Sequence, residues 1–516
     1  MTTKPAQLTT SDGAPVGDGS GCLTKGKCCP MSMCYSTEPA LLTTSFGAPV
    51  ADESRSLTVG KCGPALMSDT VLMDNLAHFN RERIPERVVH AKGTGAYGIF
   101  EVTRDMTNLT KASMFSEIGQ KTKVFVRFST TSPSKGSADT VRDIRGLSAK
   151  FYTKEANVDM ACISTPAFFV CDAMKFPSLN HAMKPDPKTN LINDSNLWDF
   201  MTLNNESALA MMHLYSDDGI PDGYTTLEAY ACHAFRLVNA AGEHTYCKFQ
   251  FTPVEEERFL ATDEAIRLAG VDPDYATRDL YCSIKNGNFP QWRLEMQLMT
   301  QEQSEAMPCC FTDITREWDE EQHPLMEIGI LTLNENPKNH FKEVEQAAFC
   351  PGNLCPGIEA APDKAFDARA FAYADAQRAR LGPNFAQLEV NRPIVCVNNY
   401  QQDGLMTFDQ VGKTNYFPNS TGGPQPNPKY KQTVYKACGD VDRYDCCEDH
   451  FSQPRAFYNA MEEDHKNRTA QNFADSISRA RPEIQPRALD YLNSIDPDLM
   501  ERTARLVTEI PECGAP

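Results

Sequence analysis

KVFVRFST (123–130) is the stretch on which the fold reading turns. Side chains alternate across a strand. This run therefore places Phe125, Arg127 and Ser129 on one face and Val124, Val126 and Phe128 on the other. Similar runs recur from about residue 90 to 335: LSAKFYT (147–153), TPAFFV (165–170), CHAFRLV (232–238), TYCKFQFT (245–252), WRLEMQLMT (292–300) and EIGILTL (327–333). So many strands between turn signals predict a closed antiparallel sheet, because closure removes exposed edges. Helical inserts such as TDEAIRLAG (262–270) lie between them.

Downstream, residues 336–445 are rich in Pro, Asn and Gly, with one clear helix starting after Asp363, a suitable N-cap, and stopping at Gly382-Pro383. Residues 451–516 read as helical, with Leu492, Ile495, Leu499, Thr503 and Leu506 at three- and four-residue steps. Upstream, KPAQLTTSDGAPVGDGSGCLTKGKC (4–28) is repeated without a gap as EPALLTTSFGAPVADESRSLTVGKC (38–62). Two copies are too few for a solenoid. They predict an extended, duplicated arm with at least one copy poorly ordered.

The net charge of -19 argues against nucleic acid or an anionic membrane as a general partner. No run approaches the roughly 18 apolar residues of a membrane helix. There is no signal-peptide pattern and no peroxisomal S-K-L-type ending, so the expected location is the cytoplasm. The 19 cysteines are then expected to be reduced thiols. Two cysteine clusters, Cys22, Cys28, Cys29 and Cys34, and Cys438, Cys446, Cys447 and His450, lack clean zinc spacing, which leaves a structural zinc as the minority reading.

Two places could carry chemistry. In the 363–381 helix, Arg369, Tyr373 and Gln377 are four apart and share a face, with Arg380 near its edge. A guanidinium one turn from a phenol favours phenolate, a hard oxygen ligand used to hold haem iron. Taken alone, that helix reads more simply as amphipathic, with a half-buried tyrosine. The second place is NRERIPERVVHAKG (80–93), which crowds arginine and lysine around His90. A neutral imidazole there could take a proton from a bound peroxide and return it to the other oxygen; a structural histidine in a solvated loop fits as well.

The ordered motifs resemble the haem catalases. They are FNRERIPERVVHAKGTGAYGIFEVT (79–103), VRFSTT (126–131), GSADTVRDIRGLSAKFYTKEANVD (136–159), TPAFFVCD (165–172), PDPKTNL (185–191), DPDYATRDLYCSIKNGNFPQW (272–292), NPKNHFKEVEQAAF (336–349) and FAYADAQRARLGPNF (371–385). The resemblance runs colinearly from about 38 to 425 and looks like the small-subunit branch. It implies an α+β catalase fold: an eight-stranded antiparallel β-barrel, a wrapping segment and a C-terminal helical region. The segments expected are an arm (1–75), a barrel haem domain (76–335), a wrapping segment with the proximal helix (336–445) and a helical region (446–516). The resemblance also implies haem b, hydrogen peroxide as substrate and a homotetramer with exchanged arms; the family also allows a peroxisome. It matches Tyr373 to the iron ligand and Arg369 to the arginine that polarises it. Arg87, Arg127 and Arg380 match the propionate partners, His90 the distal base and Ser129 its hydrogen-bond partner. Val89 matches a residue above the haem plane, Phe168 and Phe176 distal aromatics, His233 a proximal histidine and Asp143 the channel aspartate.

Departures from the family pattern matter as much. Where the family reads N-x-D-x-x-G-N-N-T-P, this chain reads NVDMACISTP (157–166), so the distal catalytic asparagine is Ile163 and its neighbour Ser164. Isoleucine has no donor, and losing one preorganised donor costs about 10²–10³-fold in rate. Weak peroxide turnover is therefore expected, or else a haem-binding paralogue with a regulatory or interaction role. Met183, Leu179 and Cys171 replace family glutamine, phenylalanine and arginine. In the nucleotide loop SDDGIPDG (216–223) Asp218 replaces an arginine, and in KFQFT (248–252) Gln250 and Thr252 replace a histidine and a lysine. An aspartate would repel a 2′-phosphate, so weak or absent NADPH binding is expected.

Overall fold

The structure is a computed structural model and describes residues 40–307, 310–410, 412–434, 439–444 and 449–507. The chain divides into two compact units, 1–83 and 84–516. In the first, the described part of the second repeat copy forms only isolated bridges, Thr43 to Pro49 and Thr58 to Ala65. The helix Thr70–Phe79 follows, capped by Asp69, whose other oxygen accepts the Leu57 N–H at 2.8 Å. The first repeat copy and the cluster Cys22, Cys28, Cys29 and Cys34 lie outside the described residues, as do Cys438, Cys446 and Cys447 of the second cluster.

Among its described residues the second unit is built on ten antiparallel strands: β1 (Gly93–Val102), β2 (Lys121–Thr130), β3 (Arg145–Tyr152), β4 (Asn157–Ile163), β5 (Ala229–Tyr230), β6 (Phe235–Val238), β7 (His244–Pro253), β8 (Gln291–Met299), β9 (Met326–Glu335) and β10 (Ile358–Ala360). The pairing runs β1–β2–β3–β4–β5–β7–β8–β9 and returns to β1, which closes an eight-stranded barrel. β5 and β6 pair with successive stretches of the same edge of β7, so they act as one interrupted strand, and β10 extends β6. The alternation in KVFVRFST holds. Val124, Val126 and Phe128 join Leu147, Phe151, Phe249 and Leu331 in the main core, while Phe125 packs on the other face with Tyr152, Val344 and Phe349.

Two expectations are corrected, and the helical reading of the C-terminal region holds in finer detail. TPAFFV (165–170) is not a strand but an irregular segment leaving β4. Pro166 has no N–H to give a ladder, and Phe168 N–H is held by Ile314 O at 2.6 Å. The terminal stripe is two helices, Gln485–Ile495 and Pro497–Leu506, because Asp496 caps the second and Pro497 opens it; Leu506 is exposed while Leu492, Ile495, Leu499 and Thr503 are buried. Cys171 is disulfide-bonded, unlike the free thiols at Cys162, Cys232 and Cys247. Sequence spacing carries no signal for such a bridge, since bonding needs Cα atoms within about 7 Å.

A second core joins the barrel rim to the helices. Ile144, Ile163 and Leu179 cluster with Trp198 and Tyr215 of the helices Asp194–Thr202 and Ala208–Tyr215, and with Phe473, Ile477 and Tyr491 of the C-terminal helices. Ser476 Oγ accepts from Trp198 Nε1 at 3.0 Å and from Tyr215 OH at 2.8 Å. The buried aromatics can therefore keep their polar ends satisfied. No helix among the described residues is long and apolar enough to cross a membrane.

Candidate functional site

A cavity of about 260 Å³ lies between His90 and Tyr373. His90 comes from the segment ahead of β1 and adopts φ 61°, a left-handed conformation that is uncommon outside glycine. Its N–H donates to Thr131 O at 2.8 Å, and its Nδ1 shares a 2.9 Å hydrogen bond with Ser129 Oγ on β2. Gly146 sits opposite Ser129 in the β2–β3 register. A Cβ there would lie 2.7 Å from His90 Nδ1, so the imidazole occupies space that only glycine leaves. Burial first, then the charges of Arg127 and Arg369, push the imidazole down to about 3. His90 is therefore neutral at physiological pH and available as a base.

The facing wall is the helix Lys364–Leu381. Asp363 starts it, accepting the N–H groups of Ala365 and Phe366 at 2.8 and 3.2 Å. Arg369 Nη2 donates to Tyr373 OH at 2.7 Å and approaches Ala161 O at 3.3 Å. Burial pushes this guanidinium down, but Tyr373 outweighs that and holds it above its ordinary value. Ala365, Ala368 and Ala372 line the same face, leaving space beside the phenol.

Outside the lining of this space, three arginines converge near the Glu345 backbone and His90. Arg127 Nη1 donates to His90 O at 2.8 Å. Arg380 lies two turns beyond Tyr373 and donates to Glu345 O at 2.6 Å and Ala347 O at 3.1 Å. Arg87 Nη2 donates to the carbonyls of Val344, Glu345 and Ala347 at 3.0, 2.8 and 2.9 Å. The Glu345 carboxylate accompanies them, 3.9 Å from Arg87 and 3.1 Å from Lys135. Burial, then repulsion from the neighbouring arginines, pushes Arg87 well down and Arg127 to about 10; burial alone pushes Arg380 to about 10 against the pull of Glu345. Arg87 Nη1 and Arg127 Nε are buried without a hydrogen-bond partner. Buried, unpartnered guanidinium nitrogens in excess of carboxylate call for an anion. Together with the apolar, alanine-lined wall and the phenol oxygen, they fit a largely apolar dianionic cofactor such as haem.

The remaining candidates divide. Val89, Phe168 and Phe176 line the cavity; the two phenylalanine rings stack at 6.2 Å between centroids. Asp143 also lines it, its Oδ2 accepting the N–H groups of Thr131 and Ser132 at 2.6 and 2.9 Å; burial raises its carboxyl. Ile163, opposite Gly146 in the β3–β4 register, faces the cavity with no hydrogen-bonding group. The Ser164 hydroxyl is turned to the Arg145 N–H at 2.9 Å. His233 does not line the cavity. It is buried behind the helix, Nδ1 2.6 Å from Asp363 Oδ2 and Nε2 without a hydrogen-bond partner. Sequence reasoning missed Gly146, Glu345 and the Asp363–His233 link, whose members are far apart in the chain.

In the loop 216–223, Asp218 pairs with His213 at 2.7 Å, and Glu317 lies 3.7 Å from the other nitrogen of that ring. Gln250 Nε2 donates to Glu228 at 2.6 Å. Burial, then Glu228 and Asp218, push Glu257 up to about 7. The surroundings of this loop are thus acidic.

A family model described as catalase matches residues 43–423, and one described as catalase-related immune-responsive matches 447–507. The chain is 46% identical to catalase-2 of Caenorhabditis elegans over 96% of this chain and 94% of that one. It is 44% identical to catalase of Sus scrofa over 99% and 92%. Its structure is similar to catalase A from Saccharomyces cerevisiae, with a TM-score of 0.88 at 37% identity, covering 91% of this chain and 99% of that one.

Proposed function

The chain belongs to the catalase family, and on that premise we propose that it binds haem b and decomposes hydrogen peroxide to water and oxygen at a rate well below that of relatives with an intact distal site. The observation that carries this reading is the pairing of His90, neutral and oriented by Ser129, with Tyr373, bonded by Arg369, across one cavity. Haem held there supplies an iron centre that exchanges two oxidising equivalents with peroxide. Tyr373 OH would be the iron ligand; the Arg369 guanidinium, which can only donate, favours the phenolate, whose remaining lone pairs are left for the metal. Arg87, Arg127 and Arg380 would hold the propionates. His90 Nε2 would take the proton from one peroxide oxygen and deliver it to the other. Ile163 offers that peroxide no donor, which motivates the low rate.

Oxygen release measured per mole of bound haem tests this. A rate typical of intact catalases would refute the weakening, and failure to take up haem would refute the reading itself. High haem occupancy with negligible oxygen release is the outcome expected of the alternative, a haem-binding protein without turnover, which Ile163 also favours. The acidic surroundings of Asp218 support weak or absent NADPH binding. Exposed Ile394, Leu405 and Phe408 in the wrapping segment support a homotetramer.

A further inference from the structure

We propose that the cavity beside His90 is suited to a peroxide carrying one apolar substituent, ROOH, more than to hydrogen peroxide; this rests on the haem-site reading above and names its ligand class. Hydrogen peroxide is polar at both ends, and each oxygen needs partners when buried. Most polar groups of the wall are already engaged, and Ile163 brings none. Thr131 Oγ1 already donates to Ile144 O at 2.7 Å, and Asn180 Nδ2 to Phe176 O at 2.8 Å. Ser132 Oγ is turned to the Met183 sulfur at 3.9 Å, and Asp143 Oδ2 accepts two backbone N–H groups. On the His90 side, the group left for a ligand is the imidazole Nε2, which accepts the single O–H of a hydroperoxide, with Asp143 also lining the cavity.

The rest of that wall is apolar. Ile163, Phe169, Val170, Leu179 and Ile314 belong to one buried cluster, with Phe168 and Met183 packed against it. Phe176, 37% exposed, carries the apolar lining towards solvent. A ligand with one hydroperoxide end and one hydrocarbon end matches this division: its polar end meets His90, and its apolar end removes hydrocarbon surface from water. A second hydroxyl placed against Ile163 and Leu179 would lose its water without gaining a partner, a penalty of about tenfold or more in affinity. Ile163 and Met183 are thereby specificity-determining residues.

The test uses the haem-loaded full chain and 2-phenyl-2-propanol, the unreactive alcohol corresponding to cumene hydroperoxide, with glycerol as the polar comparison. Calorimetric titration reads binding without any turnover. The expected result is saturable binding of the apolar alcohol, none of glycerol, and a Kd raised about tenfold by Ile163→Asn and also by Met183→Gln. Met183 is only part-buried, so its variant keeps the test open if Ile163→Asn does not fold. No saturable binding, or an unchanged Kd in each variant that folds, overturns the proposal and leaves the haem reading standing. A preparation with no haem absorbance band before any alcohol is added refutes the haem reading, and the proposal with it.

Discussion

At residue 163 the chain places a hydrocarbon on the cavity wall, where the proposed reaction calls for a hydrogen-bond donor. Replacing it with asparagine supplies one preorganised donor, so Ile163→Asn is predicted to raise oxygen release per haem by about 10²–10³-fold. An unchanged rate would mean that the missing donor is not the limiting defect. Gly146 makes a converse prediction. A methyl there would sit 2.7 Å from both His90 Nδ1 and Ser129 Oγ. Gly146→Ala must push the imidazole off its hydrogen bond, at a cost of about 1–3 kcal/mol of overpacking. Haem content should persist while peroxide turnover falls at least tenfold; a variant with normal turnover per haem would show that the ring does not depend on this clearance.

Among the elements, the Lys364–Leu381 helix carries the most consequence, because one carboxylate starts it and anchors it. Asp363 caps two N–H groups with Oδ1 and holds buried His233 with Oδ2. Burial raises this carboxyl, but the histidine and the helix N–H groups reverse that and keep it below its ordinary value. Asp363→Ala removes a cap worth about 1 kcal/mol and leaves a buried imidazole nitrogen unpaired at about 1–3 kcal/mol. Its thermal midpoint should fall, and haem should dissociate faster as the turns bearing Arg369 and Tyr373 loosen. Asp363→Asn keeps a capping oxygen and should lose less. Equal behaviour of the two variants would contradict the anchoring role.

Across the second unit, the helix Ala208–Tyr215 meets the C-terminal helices at a titratable junction. The His213 ring lies 4.2 Å from the Phe457 ring of the helix Ser452–Ala460. Burial pushes its imidazolium down, but Asp218 and Glu317 more than reverse this and hold it up to about 9. The unfolded chain has its histidine near 6.5. The contribution is therefore complete below about pH 6.5, declines between 6.5 and 9, and is gone once the folded imidazolium has lost its proton. The thermal midpoint should fall over that window, and Asp218→Asn should flatten the slope. A midpoint that holds steady or rises from pH 6.5 to 9 would refute the assignment.

Strand alternation in KVFVRFST, the four-residue spacing of Arg369 and Tyr373, and the Asp363 start and Gly382 stop of their helix were legible in the chain, because backbone geometry writes those periods locally. The site residues were named through resemblance, and the structure gathers His90, Ser129, Ile163, Arg369 and Tyr373 at one cavity. The glycine-rich strand β1 escaped because it lacks the β-branched pattern, and TPAFFV misled because an apolar run also suits a buried loop. The amino-acid sequence by itself determined the barrel pattern and the chemistry of each wall. Only the tertiary structure decided the clearance at Gly146, the arginines gathered around Glu345, and the tie between His233 and Asp363 across 130 residues. Such contacts depend on barrel closure and on packing between distant segments, which no local period encodes.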